Sequence, residues 1–276
     1  IDQYVPKVTD ASQVTVRTVT FTSSPNSPAP TQPIVINGAT GTGENDAAHP
    51  QRQEALIIDV RNLPVGTQLQ LNNVEFAIII GATRVQGGNG QNFVVGDNDA
   101  QFIVLGADDD VLHGGPGNDT IGSLDGKDQT FGDAGNDTVY GGADNDQLSG
   151  GSGNDALNGG FGFDLALQSG SLADYQISTD SNGITLTNSK TGEQDHFTDV
   201  EQIHFDTGPA LTVAYSQGEA VAAHLVGTWL NRALSPDEGA FVQQFLSDTT
   251  PEAITQAFLT LPEAQAAKLN SHSTVE

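Results

Sequence analysis

The sequence predicts a mainly β protein built around a parallel β-roll, a solenoid in which short strands alternate with turns. Residues 105–167 repeat a nine-residue pattern with no insertion or deletion. Within that pattern, glycine, aspartate and an apolar residue each recur at fixed positions. Only 36% of the chain is hydrophobic, and 35 acidic residues against 9 Lys plus Arg give a net charge of -26. A chain this lean in apolar residues and this acidic needs cations as partners.

The repeat is visible when the sequence is aligned in nines from Leu105. The units read LGADDDVLH, GGPGNDTIG, SLDGKDQTF, GDAGNDTVY, GGADNDQLS, GGSGNDALN and GGFGFDLAL. Position six is aspartate in all seven, namely Asp110, Asp119, Asp128, Asp137, Asp146, Asp155 and Asp164. Upstream in the same frame, position six becomes Asn92 and Gln101, while position eight stays mostly apolar from Phe76 onward. We therefore expect the roll to extend upstream of its metal sites.

Each part of the unit has a physical role. Glycines at positions one, two and four allow positive φ, and positions seven to nine form a short strand whose middle residue points inward. Two units make one coil of eighteen residues, so each strand stacks on its second neighbour and buries a thin apolar column. The stacked turns bring Asp carboxylates beside glycine carbonyls of successive coils. Such an all-oxygen site suits Ca²⁺, which would complete the fold.

The seven units resemble the glycine-rich nonapeptide repeats of RTX (repeats-in-toxin) proteins, a Ca²⁺-binding parallel β-helix family. The resemblance implies that Ca²⁺ lies between the turns of units n and n+2. About five sites would follow, pairing Asp110 with Asp128, Asp119 with Asp137, Asp128 with Asp146, Asp137 with Asp155, and Asp146 with Asp164. The glycines expected to supply carbonyl ligands are Gly115, Gly117, Gly126, Gly135, Gly142, Gly151, Gly153, Gly160 and Gly162.

Some units depart from the pattern. Ser123-Leu124 replaces a Gly pair, Asp144 replaces the position-four Gly, Thr130 replaces the inward aliphatic residue, and Phe163 replaces Asn. Residues 87–167 contain fourteen Asp, one Lys and no Glu or Arg, a net charge of -13. Without metal, this charge and the thin apolar column predict disorder. The alternative, that Asp and Asn serve only as turn formers, does not account for their strict phase.

The flanking regions have different textures. Residues 171–210 alternate polar and apolar residues around the turn Ser181-Asn182-Gly183, which predicts antiparallel strands, and they resemble the β-rich module that closes RTX rolls. Residues 211–276 carry helical periodicity and predict a small bundle, resembling a helical domain appended to secreted RTX and surface-layer proteins. Residues 1–75 predict a β-rich N-terminal cap, leaving the roll at 76–170. The resemblance also suggests a type I secretion signal in the C-terminal region.

Other functional motifs are weak. His196 and His204 could be metal ligands, but two satisfied strand residues explain them better. GATGTG at residues 38–43 lacks the GK[ST] of a phosphate loop. The sequence contains neither HExxH nor GxSxG, which predicts that the chain is not an enzyme. The charge opposes nucleic-acid binding, and no apolar run is long enough for membrane insertion.

Two functions remain open at this stage. The first is a secreted structural protein that folds and self-assembles on Ca²⁺ at the cell surface or outside the cell, as a homo-oligomer or lattice. The second is the C-terminal secretion and folding module of a larger RTX enzyme or toxin. The chain starts at Ile1 and has no Met, which suggests a processed product or a fragment.

Overall fold

The computed structural model describes residues 14–23, 27–38, 53–88 and 90–213. Within these ranges the protein is mainly β, and its helical content is a single 3-10 turn at Leu172–Asp174. Numbered in chain order, the first ten strands are β1 Val14–Thr20, β2 Ile34–Asn37, β3 Gln53–Asp59, β4 Gln68–Asn72, β5 Phe76–Ile80, β6 Arg84–Gln86, β7 Phe93–Val95, β8 Phe102–Val104, β9 Val111–Pro116 and β10 Thr120–Gly122. The next ten are β11 Gln129–Ala134, β12 Thr138–Ala143, β13 Gln147–Ser149, β14 Ala156–Phe161, β15 Leu165–Ser171, β16 Tyr175–Thr179, β17 Ile184–Asn188, β18 Gln194–Thr198, β19 Gln202–Thr207 and β20 Leu211–Thr212.

The strands form two ten-stranded sheets. Sheet one has the order β1-β3-β5-β7-β9-β11-β13-β15-β19-β20, and sheet two has the order β2-β4-β6-β8-β10-β12-β14-β18-β17-β16. From β1 to β15 successive strands alternate between the sheets, and each pairs in parallel with its second neighbour. This is the connectivity of the predicted parallel β-roll. The first four strands, from the segment expected to be an N-terminal cap, belong to the same two sheets.

The strand register reproduces the nine-residue frame in the repeats. Val94 pairs with Leu112, and Ile121 pairs with Val139, each eighteen residues apart. Upstream, the coil from β5 to β7 is one residue shorter, so Ala77 pairs with Val94. The extrapolated inward position at Phe76 is therefore wrong: Ala77 is fully buried, and Phe76 stacks on Phe93 with ring centroids 5.1 Å apart.

A single apolar core runs between the sheets. From β6 to β15, each strand contributes its position-eight residue to this core, as the frame predicts. These residues are at most 2% exposed: Val85, Val94, Ile103, Leu112, Ile121, Val139, Leu148, Leu157 and Ala166, together with the polar Thr130. Such a column buries only one side chain for every nine residues, so packing alone contributes little stability for each unit.

The downstream end of the roll is closed by strands outside the repeats. β18 continues sheet two beside β14, and β17 and β16 follow it in antiparallel order. β19 continues sheet one beside β15, and β20 pairs with it in antiparallel order. Of the segment 211–276, predicted as a helical bundle, Leu211 and Thr212 form β20, and residues from 214 onward lie outside the described residues. No helix in the described part of the chain is long and apolar enough to cross a bilayer.

Candidate calcium-binding site

The position-six aspartates line the two edges of the roll where its turns meet its strands. Each lies one residue before a repeat strand, and all seven side chains are at most 3% exposed. Asp110, Asp128, Asp146 and Asp164 precede strands of sheet one, and Asp119, Asp137 and Asp155 precede strands of sheet two. Carboxylates are almost never buried to this extent without a partner of opposite charge. Their burial in register is therefore the main chemical feature of the roll.

Backbone hydrogen bonds connect each aspartate to the next one in its sheet. The backbone N–H of Asp119 donates to Oδ1 of Asp137 at 2.7 Å. Equivalent bonds of 2.7 to 2.9 Å, each spanning eighteen residues, join Asn92 to Asp110, Gln101 to Asp119, Asp110 to Asp128, Asp128 to Asp146, Asp137 to Asp155 and Asp146 to Asp164. We call the two series the sheet-one ladder, beginning at Asn92, and the sheet-two ladder, beginning at Gln101. The hydrogen bonds use only one oxygen of each carboxylate.

The second carboxylate oxygen, Oδ2, is the unusual atom. It is buried and without a hydrogen-bond partner in six aspartates, namely Asp119, Asp128, Asp137, Asp146, Asp155 and Asp164. In the repeat of Asp137, a Cβ built on Gly132 would lie 2.5 Å from Oδ2 and 2.5 Å from the Gly150 carbonyl oxygen of the next coil. Oδ2 of Asp137 and the carbonyl oxygen of Gly150 therefore both face the space beside Gly132. Buried unpaired acceptors are rare in folded proteins, and several together indicate a bound cation.

The position-one carbonyls are therefore candidate ligands that the sequence reasoning missed. The same pairing of Oδ2 with a position-one carbonyl recurs at Gly114 and Gly141, where the carbonyls belong to Gly132 and Gly159. The signal was present in the sequence, because position one is glycine in most units. A Cβ at this position would fill the space between the two oxygens.

The predicted carbonyl donors at positions two and four have the expected backbone. All nine have positive φ: Gly115, Gly117, Gly126, Gly135, Gly142, Gly151, Gly153, Gly160 and Gly162. At Gly135, with φ of 146°, an added Cβ would collide with the carbonyl oxygen of Gly117 one coil before. In successive turns, the carbonyl group of one coil therefore packs directly against the glycine of the next coil. This close approach requires glycine on the receiving turn.

Two departures from the glycine pattern keep the backbone of the turn. Asp133 at position two and Asp144 at position four have φ of 75° and 74°. Their carbonyl oxygens lie against Gly151 and Gly162 of the next coil, as glycine carbonyls do in other turns. Aspartate is one of the few residues that tolerate this conformation. The Asp144 turn therefore retains the oxygen arrangement of its neighbours.

The Ser123 departure does alter a site. The Ser123 hydroxyl lies 3.0 Å from the Gly106 carbonyl oxygen and 3.3 Å from Oδ2 of Asp110. Asp110 is consequently absent from the set of carboxylates with an unpartnered oxygen. At the predicted site of Asp110 and Asp128, the Ser123 hydroxyl therefore contacts oxygens whose equivalents at the other predicted sites remain available to a cation.

Burial dominates the electrostatics of the ladders. It raises the pKa of Asp110 and Asp119 to about 6, of Asp128, Asp137 and Asp164 to about 7, and of Asp146 to about 8, and it raises the pKa of Asp155 as well. Neighbouring carboxylates add to the effect; Asp164 and Asp128, for example, both raise the pKa of Asp146. Without a cation, the charged form of these carboxyls is strongly disfavoured. A divalent ion would reverse that balance.

Both ladders end on an acidic residue outside the repeats. The Asp155 N–H donates to Oδ1 of Asp195 at 3.1 Å, and the Asp164 N–H donates to Oε2 of Glu201 at 2.7 Å. Asp195 lies within β18, and Glu201 directly precedes β19; both strands continue the register of the roll. Sequence reasoning missed both residues because they lie forty and thirty-seven positions after their partners, out of phase with the nine-residue frame.

Backbone oxygens must supply much of any coordination shell. Among the described residues, no group of three or more His, Cys, Asp or Glu side chains is arranged to hold a metal ion. His196 and His204 lie on strands of different sheets and contact Thr185 and Gln202. The site therefore consists of carboxylates and carbonyls stacked along each ladder. A hard cation that accepts six to eight oxygens at flexible geometry, such as Ca²⁺, fits this donor set.

Comparison with known proteins agrees with this chemistry. The family model of the RTX calcium-binding nonapeptide repeat (4 copies) matches residues 86–121, 95–129 and 131–166. The matches cover the units with the seven aspartates and extend upstream over Asn92 and Gln101. No curated protein matches the chain.

Proposed function

We propose that the chain is an RTX repeat protein, and that it is a secreted structural protein whose roll folds on binding Ca²⁺ outside the cell. RTX nonapeptide repeats bind calcium, and proteins that contain them are generally secreted. The observation that carries the proposal is the set of six buried carboxylate oxygens that have no hydrogen-bond partner. A bound divalent ion would satisfy these oxygens and neutralise part of the net charge of -26.

We assign the best-formed sites to the four pairs beyond Asp110. These are Asp119 with Asp137, Asp128 with Asp146, Asp137 with Asp155, and Asp146 with Asp164, in each of which the first carboxylate has an unpartnered oxygen. The fifth pair, Asp110 with Asp128, is expected to bind more weakly because of the Ser123 hydroxyl. Calcium supplies positive charge between coils, while the chain contributes the oxygens and a fixed spacing of eighteen residues.

Circular dichroism across a calcium titration tests the folding part of the proposal. We expect little β structure in chelator and a cooperative gain at roughly 10⁻⁴ to 10⁻³ M Ca²⁺, the range of extracellular modules. Magnesium is the matched control, because it demands a tighter octahedral geometry and should not replace calcium. Identical spectra in chelator and in millimolar calcium would contradict the proposal.

The role after folding is a separate part of the proposal. We propose calcium-promoted self-assembly, since calcium lowers the charge that keeps copies apart. Analytical ultracentrifugation at several calcium concentrations would detect it. A calcium-loaded protein that stays monomeric at high concentration would instead favour the alternative, a secretion and folding module of a larger RTX enzyme or toxin.

A further inference from the structure

The two ladders end differently, and the difference concerns Asp195 and Glu201. Both residues accept the backbone hydrogen bond that a further repeat aspartate would accept. Both are buried, with 4% and 7% exposure. They belong to the segment that closes the roll, and they lie beyond the residues that match the repeat family. The surroundings of each end decide whether it can hold a cation.

The residue that ends the sheet-two ladder, Asp195, accepts hydrogen bonds on both carboxylate oxygens, although Oδ2 of Asp155 before it is unpartnered like that of Asp164. The Gln168 side-chain amide donates to Oδ2 of Asp195 at 2.7 Å and also contacts the Tyr175 hydroxyl at 3.1 Å. The three atoms nearest to a Cβ built on Gly150 all belong to Asp155. Asp195 therefore ends this ladder with neutral donors.

The end of the sheet-one ladder keeps the arrangement of a repeat site. Oδ2 of Asp164 is buried and unpartnered, and the side chain is fully buried. A Cβ built on Gly159 would collide with both this Oδ2 and the carbonyl oxygen of Asp199. The Asp199 carbonyl thus stands where a position-one carbonyl stands in the repeats.

The backbone around Asp199 supports this equivalence. Asp199 has φ of 48°, and its side chain accepts a hydrogen bond of 3.4 Å from the Asn158 amide. The N–H groups of Glu201 and Gln202 both donate to the Asp164 carbonyl at 3.1 Å. The segment 199–202 therefore follows the roll in the way that another repeat turn would, although its sequence, DVEQ, has no glycine.

We propose that Asp164, the Asp199 carbonyl and Glu201 form an additional calcium site that binds the closing segment to the last coil of the roll. This inference rests on the proposed calcium binding of the repeats. The site combines two carboxylates and at least one backbone oxygen, the donor types that calcium prefers. Its consequence is that closure of the sheet-one edge depends on calcium, whereas closure of the sheet-two edge depends on the Gln168 hydrogen bond to Asp195.

Counting bound calcium by isothermal titration and native mass spectrometry tests the site. Glu201→Gln, which retains an oxygen that can accept the Asp164 hydrogen bond, should bind one ion fewer than the wild type or bind its last ion at least tenfold more weakly. Asp195→Asn is the matched control and should bind the same number as the wild type. An unchanged count in Glu201→Gln, or an equal loss in Asp195→Asn, would overturn the proposal.

A second pair of variants tests the site even if the Glu201→Gln variant does not fold. If Glu201 forms a site, Asp164 belongs to two sites and Asp155 to one, so Asp164→Asn should impair two ions and Asp155→Asn one. Equal losses in these two variants would contradict the additional site. Failure of the proposed function itself would appear differently, because the wild-type chain would then bind no calcium.

Discussion

The coils upstream of the repeats and the repeat coils share one solenoid but differ in what holds them together. In β3, β4 and β5 each strand buries two apolar residues, such as Leu56 and Ile58 in β3. Most repeat strands bury only one, such as Ile121 in β10. Position six differs as well. The coils just before the repeats have neutral amides there, whereas the repeats have carboxylates. The same fold is thus stabilised by apolar burial at one end and, as proposed, by calcium at the other.

Removal of calcium should give the largest difference between the two regions. The wild-type chain would be compared by hydrogen exchange in chelator and at a calcium concentration about 100 times Kd, where a single site stabilises by about 2.7 kcal/mol. Amides of β9 to β14 should lose nearly all protection in chelator, while those of β3 to β5 should keep part of theirs. The apolar column in the upstream coils is wider and needs no metal. Uniform loss along the whole roll would show that the upstream coils do not fold alone.

Acid should partly replace calcium in the repeats. The pKa values of Asp137 and Asp146 are raised to about 7 and about 8 by burial, so these carboxyls bind protons on folding. Their protonation stabilises the metal-free fold fully below about pH 4, and this stability is lost as the pH rises through 6 to 8. The metal-free chain should therefore gain β structure at pH 5 that it lacks at pH 8, and any thermal transition it shows should lie at a higher temperature at pH 5.

Calcium should reverse that pH dependence. Protons compete with the metal for the same carboxylates, so calcium affinity should fall between pH 8 and pH 5. Thermal melts of protein freed of metal by dialysis, with and without added calcium at both pH values, separate the two effects. The amides Asn92 and Gln101 do not titrate, so the acid effect belongs to the repeats and to Asp195, whose pKa burial raises to about 6. A metal-free melting temperature that is higher at pH 8 would refute the assignment of the raised pKa values to folding.

Much of this contrast could be predicted from the sequence, because the nine-residue frame encodes it directly. The frame places Asp137 just before a strand and Val139 in the core, and Val139 is fully buried as predicted. It fails where a coil changes length: the seventeen-residue coil between β5 and β7 moves Ala77 into the place expected for Phe76. It also misses Glu201, which accepts the backbone hydrogen bond of Asp164 from thirty-seven residues further along the chain. The nine-residue frame does not predict that separation.

Substitution of one glycine in each region compares how tightly their turns are packed. Gly135→Ala in the repeats should lower stability by about 3 kcal/mol, because positive φ disfavours alanine and the new Cβ would overlap the Gly117 carbonyl. Gly90→Ala upstream also has positive φ, at 92°, but its Cβ would meet nothing within 4 Å. It should cost only about 1 kcal/mol, from backbone strain alone. Thermal denaturation in saturating calcium measures both; equal losses would mean that coil stacking is not tight in the repeats.

Thr130→Val should give the smallest effect and the opposite sign. Thr130 is 1% exposed, stands in the apolar column between Leu112 and Leu148, and its hydroxyl has no hydrogen-bond partner. Burying an unsatisfied hydroxyl is costly, so valine, which has nearly the same shape, should raise stability by about 1 kcal/mol. The melting temperature in saturating calcium should therefore increase by a few degrees.

The matched control for this substitution is Thr138→Val, at position seven of the next unit. Thr138 is half-buried and pairs with Thr120 across the sheet, so its replacement should change stability by less than about 0.5 kcal/mol. If Thr130→Val were destabilising, the hydroxyl must have a partner in the folded protein, such as water between the sheets. The repeat core would then be wetter than the upstream core, and the contrast between the two regions would extend from their turns to their interior.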